Sequence, residues 1–448
     1  MVDGRYWLQT LGCPKNQVDS DKLEGRLAAQ GYLRASVPEE ADLVVVNTCA
    51  FIESARQESI DTVLELADVR KVGAQLVVTG CMAERYGDEL TDALPEVDLV
   101  AGFGIELVQP PSIGVSVSLA RKPGPRPTKG FDLLELARPA AEVPWAYVKV
   151  AEGCDRICGF CAIPSFRGKQ RSRGTDEVMA EVELLLAGGV TADGNQAPPV
   201  REIVLVAQDL ASYGRDRSRP GVRVKAGRSP IAALTRAIAE RVERTRLLYL
   251  YPSGLTDELI AAVIDTGVPY FDLSLQHVSR PLLARMRRWG DGERFLRRIA
   301  DIRAADAQAT FRSSFILGYP GETERDQDLL LSFLAEAKLD WAGFFPFSNE
   351  VGTHAAGLPD QVPPGLALER LRECAELQDA ITAARRDLLI GQTRQVLVDA
   401  PVMGRTVHEA PEIDGLVHLP ADTVAGELLT MVVTAAEGPD LHAARVGR

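Results

Sequence analysis

The chain has 448 residues, 46% of them hydrophobic, with 50 Lys and Arg against 63 Asp and Glu for a net charge of −13. This length suits roughly two to four domains, and the apolar content excludes a disordered chain. The acidic balance argues against non-specific nucleic-acid binding, and no apolar run reaches the roughly 18 residues of a membrane span.

The opening stretch MVDGRYWLQTLGC has no basic flank followed by an apolar core and a small-residue cleavage site. It does not read as a secretory signal, so a reducing cytoplasm is expected. Seven cysteines are an odd number for a disulfide framework, and the chain is long for one. None of the five histidines lies close in sequence to a cysteine, so a mixed Cys/His zinc site has little local support.

Over the first hundred residues, RYWLQTLGC, ADLVVVNTC and AQLVVTGC each read as a buried strand ending in a cysteine. Amphipathic stretches near 18–31 and 53–70 lie between them. Alternating strands and helices predict a parallel sheet, whose ligands gather at the carboxyl ends of its strands. Cys13, Cys49 and Cys81 all fall at such ends. Residues 108–140, with QPPSIG and RKPGPRPTKG, are rich in Pro, Gly and basic residues and read as an irregular connection.

From about residue 145 a second pattern starts. AYVKVAE, EIVLVAQD, RLLYLYP, YFDLSLQ, FRSSFILG and WAGFFPF read as strands. Helical stretches at 175–188, 230–243, 256–266, 293–305 and 324–337 follow most of them. Six such units predict a full or part-closed barrel with its chemistry on the loops after the strands. Two inserts, TADGNQAPP and DRSRPGVRVKAGRSP, read as surface loops. A long helix is expected over 366–389, and then short strands such as TRQVLVDA, GLVHL and LLTMVVTA form a small all-β module. This gives an α/β chain of four parts: 1–112, an α/β domain; 113–139, a linker; 140–371, a barrel core; and 372–448, the β module with its leading helix.

The stretch GCDRICGFC follows the first barrel strand and holds Cys154, Cys158 and Cys161. Closed metal sites usually take four protein ligands. Three thiolates on one loop hold three corners of a cubane cluster and leave one iron open to a small molecule. The alternatives are a structural zinc loop or three unrelated cysteines. Cys13, Cys49 and Cys81, taken singly, read as small buried hydrophobes. Taken together on one sheet edge, they read as a second cluster site with its own open iron. Cys374 lies in the long helix and reads as packing.

The CxxxCxxC spacing resembles the radical S-adenosylmethionine enzymes. The whole order, a three-cysteine α/β domain, that core and a TRAM-like β module, resembles the methylthiotransferase family over nearly the full chain. LGCPKNQVDSD, VVNTCAFIESARQESID, VTGCMAERY, EGCDRICGFCAIPSFRGKQRSR, FDLSLQH, GYPGET and APEIDG resemble its ribosomal-protein branch. The resemblance implies a partial TIM-like (β/α) core and a small antiparallel β-barrel. It implies two 4Fe-4S clusters, a radical-generating one on Cys154, Cys158 and Cys161 and an auxiliary one on Cys13, Cys49 and Cys81. It implies two uses of S-adenosylmethionine, one to methylate an added sulfur and one to generate the adenosyl radical. The methylthio group then goes to the β-carbon of an aspartate in small-subunit ribosomal protein twelve, free or within the subunit. An electron donor and a sulfur source are implied as partners. The central step requires no acid/base pair, so the resemblance implies no catalytic side chain.

Phe160, Gln208, Gln276 and Gly318 are candidates to contact S-adenosylmethionine. For Gln208 and Gln276 the alternative is a structural hydrogen bonder, for Gly318 and Gly321 a plain turn. His277 reads as satisfying a barrel-end carbonyl. The basic run RGKQRSR, 167–173, reads as a phosphate or acidic-peptide site or as a solvated loop. Residues 390–448 carry four arginines and eight acidic residues, which suits docking on a basic protein, with Glu412 and Asp414 as candidate contacts. Two rivals stand beside this reading. One is a tRNA adenosine methylthiotransferase with the same clusters; the other is a non-catalytic iron–sulfur factor that binds RNA or the ribosome.

Overall fold

The computed structural model describes residues 4–108, 129–217 and 229–446. The greater part of the Pro/Gly-rich connection and of the insert expected over 216–230 lies outside the described residues, as does Arg448. Two compact units emerge. The first comprises residues 1–140 with 165–168 and 189–196, and the second comprises 141–164, 169–188 and 197–448.

In the first unit, β1 (Arg5–Thr10), α1 (Pro14–Ala29), β2 (Leu33–Arg34), β3 (Leu43–Thr48), α2 (Glu53–Val69), β4 (Gln75–Gly80), α3 (Cys81–Ala93) and β5 (Leu99–Ala101) follow in order. They build an all-parallel sheet of order β2-β1-β3-β4-β5. β3 is buried throughout and β4 from Leu76 onward, as parallel strands covered on both faces must be. The register places Thr10 opposite Asn47 and Asn47 opposite Thr79, so the strand ends that carry the cysteines are level. The described end of the Pro/Gly-rich connection packs into this unit. Leu133 joins the core with Tyr6, Leu23, Leu27 and Val45, and the buried Lys22 ammonium donates to the Leu134 and Leu136 carbonyls at 3.0 and 3.1 Å.

The second unit opens with β6 (Trp145–Lys149), β7 (Ala151–Glu152), α4 (Ile163–Arg167, whose end belongs to the first unit), β8 (Arg171–Ser172) and α5 (Thr175–Ala187). There follow β9 (Glu202–Val206), α6 (Pro230–Ala239), β10 (Arg244–Leu247), α7 (Asp257–Asp265), β11 (Tyr270–Gln276) and α8 (Arg280–Arg285). The core ends with α9 (Gly292–Ala305), β12 (Thr310–Leu317), α10 (Glu324–Ala337), β13 (Trp341–Pro346) and α11 (Pro364–Asp387). Six strands run parallel in chain order from β6 to β13. β6-β9-β10 and β11-β12-β13 pair as two sheets, and one parallel bridge, Leu250 to Leu273, joins them. β6 and β13 remain edges, so the barrel is part-closed. α11 lies along β13 and α10.

β14 (Thr393–Ala400), β15 (Met403–Arg405), β16 (Val417–His418), β17 (Leu428–Glu437) and β18 (Asp440–Arg445) close into a small barrel around Val396, Val398, Val417, Met431 and Leu441. Its pairs are antiparallel, except that β16 runs parallel to β18.

This small barrel is locked to the first residues of the core strands. Glu202, at the start of β9, accepts Arg246 Nε at 2.6 Å and Arg405 Nη1 at 3.0 Å. Arg244, at the start of β10, donates to the Arg405 and Gln395 carbonyls, both at 2.9 Å. Tyr270 Oη donates to Asp414 at 2.5 Å, and Trp341 Nε1 to the His408 carbonyl at 2.8 Å. Glu202, Arg246, Arg405 and Glu409 are buried, so each charge needs its partners. Burial opposes ionisation of Glu202, but Arg246, Arg405 and Arg244 outweigh it and hold its pKa down at about 2. Burial likewise opposes Glu409, and Arg386 leads the groups that bring it to about 2.

This seam corrects one expectation. Asp414 is not a surface docking charge, because it is buried against Tyr270, with Arg312 Nε at 3.4 Å. Burial raises its pKa to about 6. Glu412 is exposed.

Candidate metal centres

In the first unit each cysteine sits where a strand hands over to a helix. Cys13 caps α1, with Pro14 in its first turn; Cys49 directly follows β3; Cys81 is the first residue of α3. Helix N-termini present unpaired N–H groups and favour negative charge, which suits thiolates. The glycine before Cys13 has a geometric cause. Gly12 has φ +97°, and a Cβ there would lie 2.8 Å from Cys49 Cβ and 3.0 Å from its Sγ. Gly80, before Cys81, has φ +91°, and a Cβ there would lie 2.6 Å from the Thr48 carbonyl oxygen. A side chain at either position would push the strand ends apart.

A buried polar network fixes these ends. Asn16 Nδ2 donates to the Leu11 and Thr48 carbonyls at 2.9 and 3.1 Å. Asn47 Nδ2 donates to the Asn16 carbonyl and to Ser20 Oγ, both at 2.9 Å. Arg167 adds its guanidinium to the same place, with Nε and Nη2 at 3.3 and 3.1 Å from Cys81 Sγ. The three thiols lie close enough to act on one another. Burial raises Cys49 to about 12, with Cys13 and Cys81 contributing. Burial raises Cys81, against the pull of Arg167. Burial also opposes ionisation of Cys13, but Lys15 and Arg167 outweigh it and leave its pKa below the ordinary thiol value.

In the second unit the other three cysteines share one loop after β6 and β7. Arg156 pins this loop, with Nε 2.6 Å from Asp209 Oδ2, Nη2 3.1 Å from Ser212 Oγ, and its guanidinium carbon 3.8 Å from the Tyr251 ring centre. Arg288 lies 4.0 Å from the same ring centre and donates to Cys158 Sγ at 3.3 Å. Gly159 donates to the Met286 carbonyl and accepts from Ala355 N–H, both at 2.8 Å. Burial raises Cys154 to about 11 and Cys161 to about 12; neighbouring cysteines push both the same way. Among the described residues no His, Cys, Asp and Glu side chains gather as a single-ion site. Three thiols at the level strand ends and three on one loop form two triads, and thiolates are the usual ligands of multi-iron groups.

Gln208, Gln276 and Gly318 lie at or just after strand ends, and Phe160 lies within the cysteine loop. Phe160 is half-buried against the barrel core. Gln208 Nε2 donates to Glu152 Oε1 at 2.9 Å, two residues before Cys154. Gln276 ends β11 with φ +70°, where the register with β12 shifts. Gly318 has φ +77°; its N–H donates to Glu322 Oε2 at 2.7 Å, and Arg370 pairs with Glu322 at 2.9 Å. His277 differs from its expected role: Nδ1 accepts the Ser279 N–H at 3.0 Å rather than serving a carbonyl. Burial lowers its pKa to about 4. Cys374 is buried in α11, apart from both triads, and receives Gln327 Nε2 at 3.4 Å. The sequence does not single out Arg156, Arg288, Asn16 or Asp19. Arg167 and Arg173 appear there only within a basic run, yet both are buried, Arg173 with Glu181 at 2.7 Å.

Three family models match the chain: an uncharacterized protein family, UPF0004, over 5–102, the radical SAM superfamily over 148–334 and the TRAM domain over 390–446. Curated relatives match nearly end to end. A protein of Moorella thermoacetica is 42% identical, with 95% of each chain covered. One of Kineococcus radiotolerans is 39% identical, covering 97% of this chain and 96% of its own. One of Chloroflexus aurantiacus is 37% identical, covering 98% of each. Each of the three is named ribosomal protein uS12 methylthiotransferase RimO.

Proposed function

The chain belongs to the ribosomal protein uS12 methylthiotransferase family, RimO, and from this we propose that it transfers a methylthio group to the β-carbon of an aspartate in uS12. The observation that carries the reading is the presence of two cysteine triads, one on a single loop and one on three level strand ends.

Cys154, Cys158 and Cys161 would hold the radical-generating four-iron cluster, and Cys13, Cys49 and Cys81 the auxiliary one. When bound, the loop cluster supplies the electron that cleaves S-adenosylmethionine, and the strand-end cluster carries the sulfur to be transferred. The chain's own residues prepare both places. Arg288 donates to Cys158 and Arg156 fixes the loop against Asp209, so the three thiols are held before any ligand arrives. The helix start at Cys13 and the guanidinium beside Cys81 favour anionic sulfur in the other site. Phe160, Gln208, Gln276 and Gly318 are the proposed contacts to S-adenosylmethionine. Gln208 also donates to Glu152, and Glu322 closes the turn at Gly318.

Among the described residues no helix is long and apolar enough to cross a membrane, and we place the enzyme in the cytoplasm with its ribosomal substrate. The reaction needs an external electron donor and a sulfur source. The small barrel and its loops carry more acidic than basic residues, with Asp422, Glu437 and Glu412 exposed, which suits a basic protein partner.

The test is anaerobic turnover with reductant, sulfide and S-adenosylmethionine, offering uS12 and bulk tRNA in parallel and reading mass. A methylthio gain on an aspartate of uS12 is expected. A gain confined to tRNA adenosine would transfer the chain to the tRNA-modifying reaction.

A further inference from the structure

We infer that Arg167 is a positioning residue of the strand-end site, holding the Cys81 sulfur in place and setting the charge around the group bound there. The inference rests on the auxiliary-cluster reading above. It concerns a residue in a basic run whose purpose the sequence leaves open.

Arg167 lies far in the chain from the residues it serves, in the short segment 165–168 that belongs to the first unit. Its side chain is only 3% exposed. Burying a guanidinium is costly unless its donors and its charge are both answered. Its Nε and Nη2 face one acceptor, Cys81 Sγ, at 3.3 and 3.1 Å. Nη2 also reaches Asn16 Oδ1 at 2.6 Å, and Nη1 reaches Asp19 Oδ2 at 3.2 Å. The guanidinium carbon lies 4.6 Å from the centre of the Phe103 ring. Asn16 is itself held by the Leu11 and Thr48 carbonyls, so its Oδ1 is aimed rather than free to turn. The planar fork is therefore fixed on three sides with two of its donors on one sulfur. A lysine could supply the charge but not this fork.

A cation and two N–H donors on a ligating sulfur favour the state of the bound group with more negative charge. Hydrogen bonds to sulfur and net local charge are among the factors that set the potential of a thiolate-held iron cluster. Asp19 opposes the effect, because its carboxylate offsets part of the guanidinium charge. The two residues thus pull the site in opposite directions.

The test uses the full chain with Cys154, Cys158 and Cys161 replaced by Ala, so that only the strand-end group remains, with its midpoint potential followed by EPR. Arg167→Met is expected to shift the midpoint to more negative values and Asp19→Asn to more positive values, with Arg167→Lys between Met and the parent. Unmoved midpoints, or shifts of the same sign for Arg167→Met and Asp19→Asn, would overturn the proposal. If Arg167→Met fails to hold iron, the signs for Asp19→Asn and Arg167→Lys decide alone. A parent that binds no iron at the strand ends overturns the auxiliary-cluster reading and this inference with it. A parent that holds iron with unmoved variants overturns the inference alone.

Discussion

The two thiol triads reach similar chemistry by different routes. The loop triad draws all three sulfurs from eight consecutive residues, Cys154 to Cys161, and its fixing contacts come from Arg156 and Arg288. The strand-end triad draws its sulfurs from three parallel strands brought level by register. It depends on Gly12 and Gly80 for close approach and on buried polar groups for alignment. A local site survives moderate disturbance of the fold around it. A site assembled from distant strands is only as good as the sheet that assembles it.

Deleting the ligands gives the largest effect and the sharpest contrast. Cys158→Ser should abolish both 5′-deoxyadenosine formation and methylthio transfer. Cys49→Ser should abolish transfer while 5′-deoxyadenosine still forms. Chromatographic quantification of 5′-deoxyadenosine beside product mass checks both, and loss of 5′-deoxyadenosine in Cys49→Ser would break the division of labour.

Next comes the scaffold of the loop site. Glu202→Gln leaves Arg246 and Arg405 short of a buried counter-charge, and removing one partner of such a pair costs about 3–5 kcal/mol. Denaturant unfolding should show that loss, while folded protein keeps its loop iron because no ligand is near the seam.

Acid should weaken the same unit in two stages. Burial holds His277 and His408 near 4, below the ordinary 6.5. The unfolded chain therefore binds their protons first, and stability declines as pH falls from 6.5 towards 4, by up to about 3 kcal/mol for each. Glu202 and Glu409, held down at about 2, stabilise above 4.5 and lose that contribution as pH falls towards 2. Unfolding midpoints measured across this range test the sign; stability that rises on acidification would contradict it.

Gly12→Ala should cost about 1–3 kcal/mol through its left-handed backbone, and more where the new Cβ meets Cys49. Iron analysis in a chain lacking the loop cysteines should show occupancy of the strand-end site falling. The matching chain without the strand-end cysteines should be unchanged at the loop. Smallest is the docking face: Glu412→Lys should weaken uS12 binding a few-fold, since exposed charges contribute little each. Asp414→Lys should instead destabilise the fold, because Asp414 lies inside the seam.

The sequence carries the local parts of this molecule well. The six core strands and the five helices among them fall close to their expected places, because each has its own apolar period and turn signals. The loop triad is visible as spacing alone. What escapes is short or distant. β2, β5, β15 and β18 are edge or turn-bounded pieces with little pattern of their own. α1 begins at Pro14, earlier than its periodicity suggests, because proline's fixed φ suits the first helical position. α3 is hidden by the bend at Gly87 and by the strand-like run that leads into Cys81. Arg167 meets Asp19 across 148 residues, and Arg244 meets the Arg405 carbonyl across 161. No window of sequence relates such pairs. The basic run and the acidic module therefore look like surface features, although Arg167 and Asp414 are internal.

The most direct test of the two-site account is iron content with Mössbauer spectroscopy on three proteins: the parent, a Cys154/Cys158/Cys161→Ala variant and a Cys13/Cys49/Cys81→Ala variant. Two four-iron clusters predict about eight irons per chain in the parent and about four in each variant. Only the variant that keeps the loop triad should respond spectroscopically to S-adenosylmethionine. About four irons in the parent, all lost with one triad, would contradict the account.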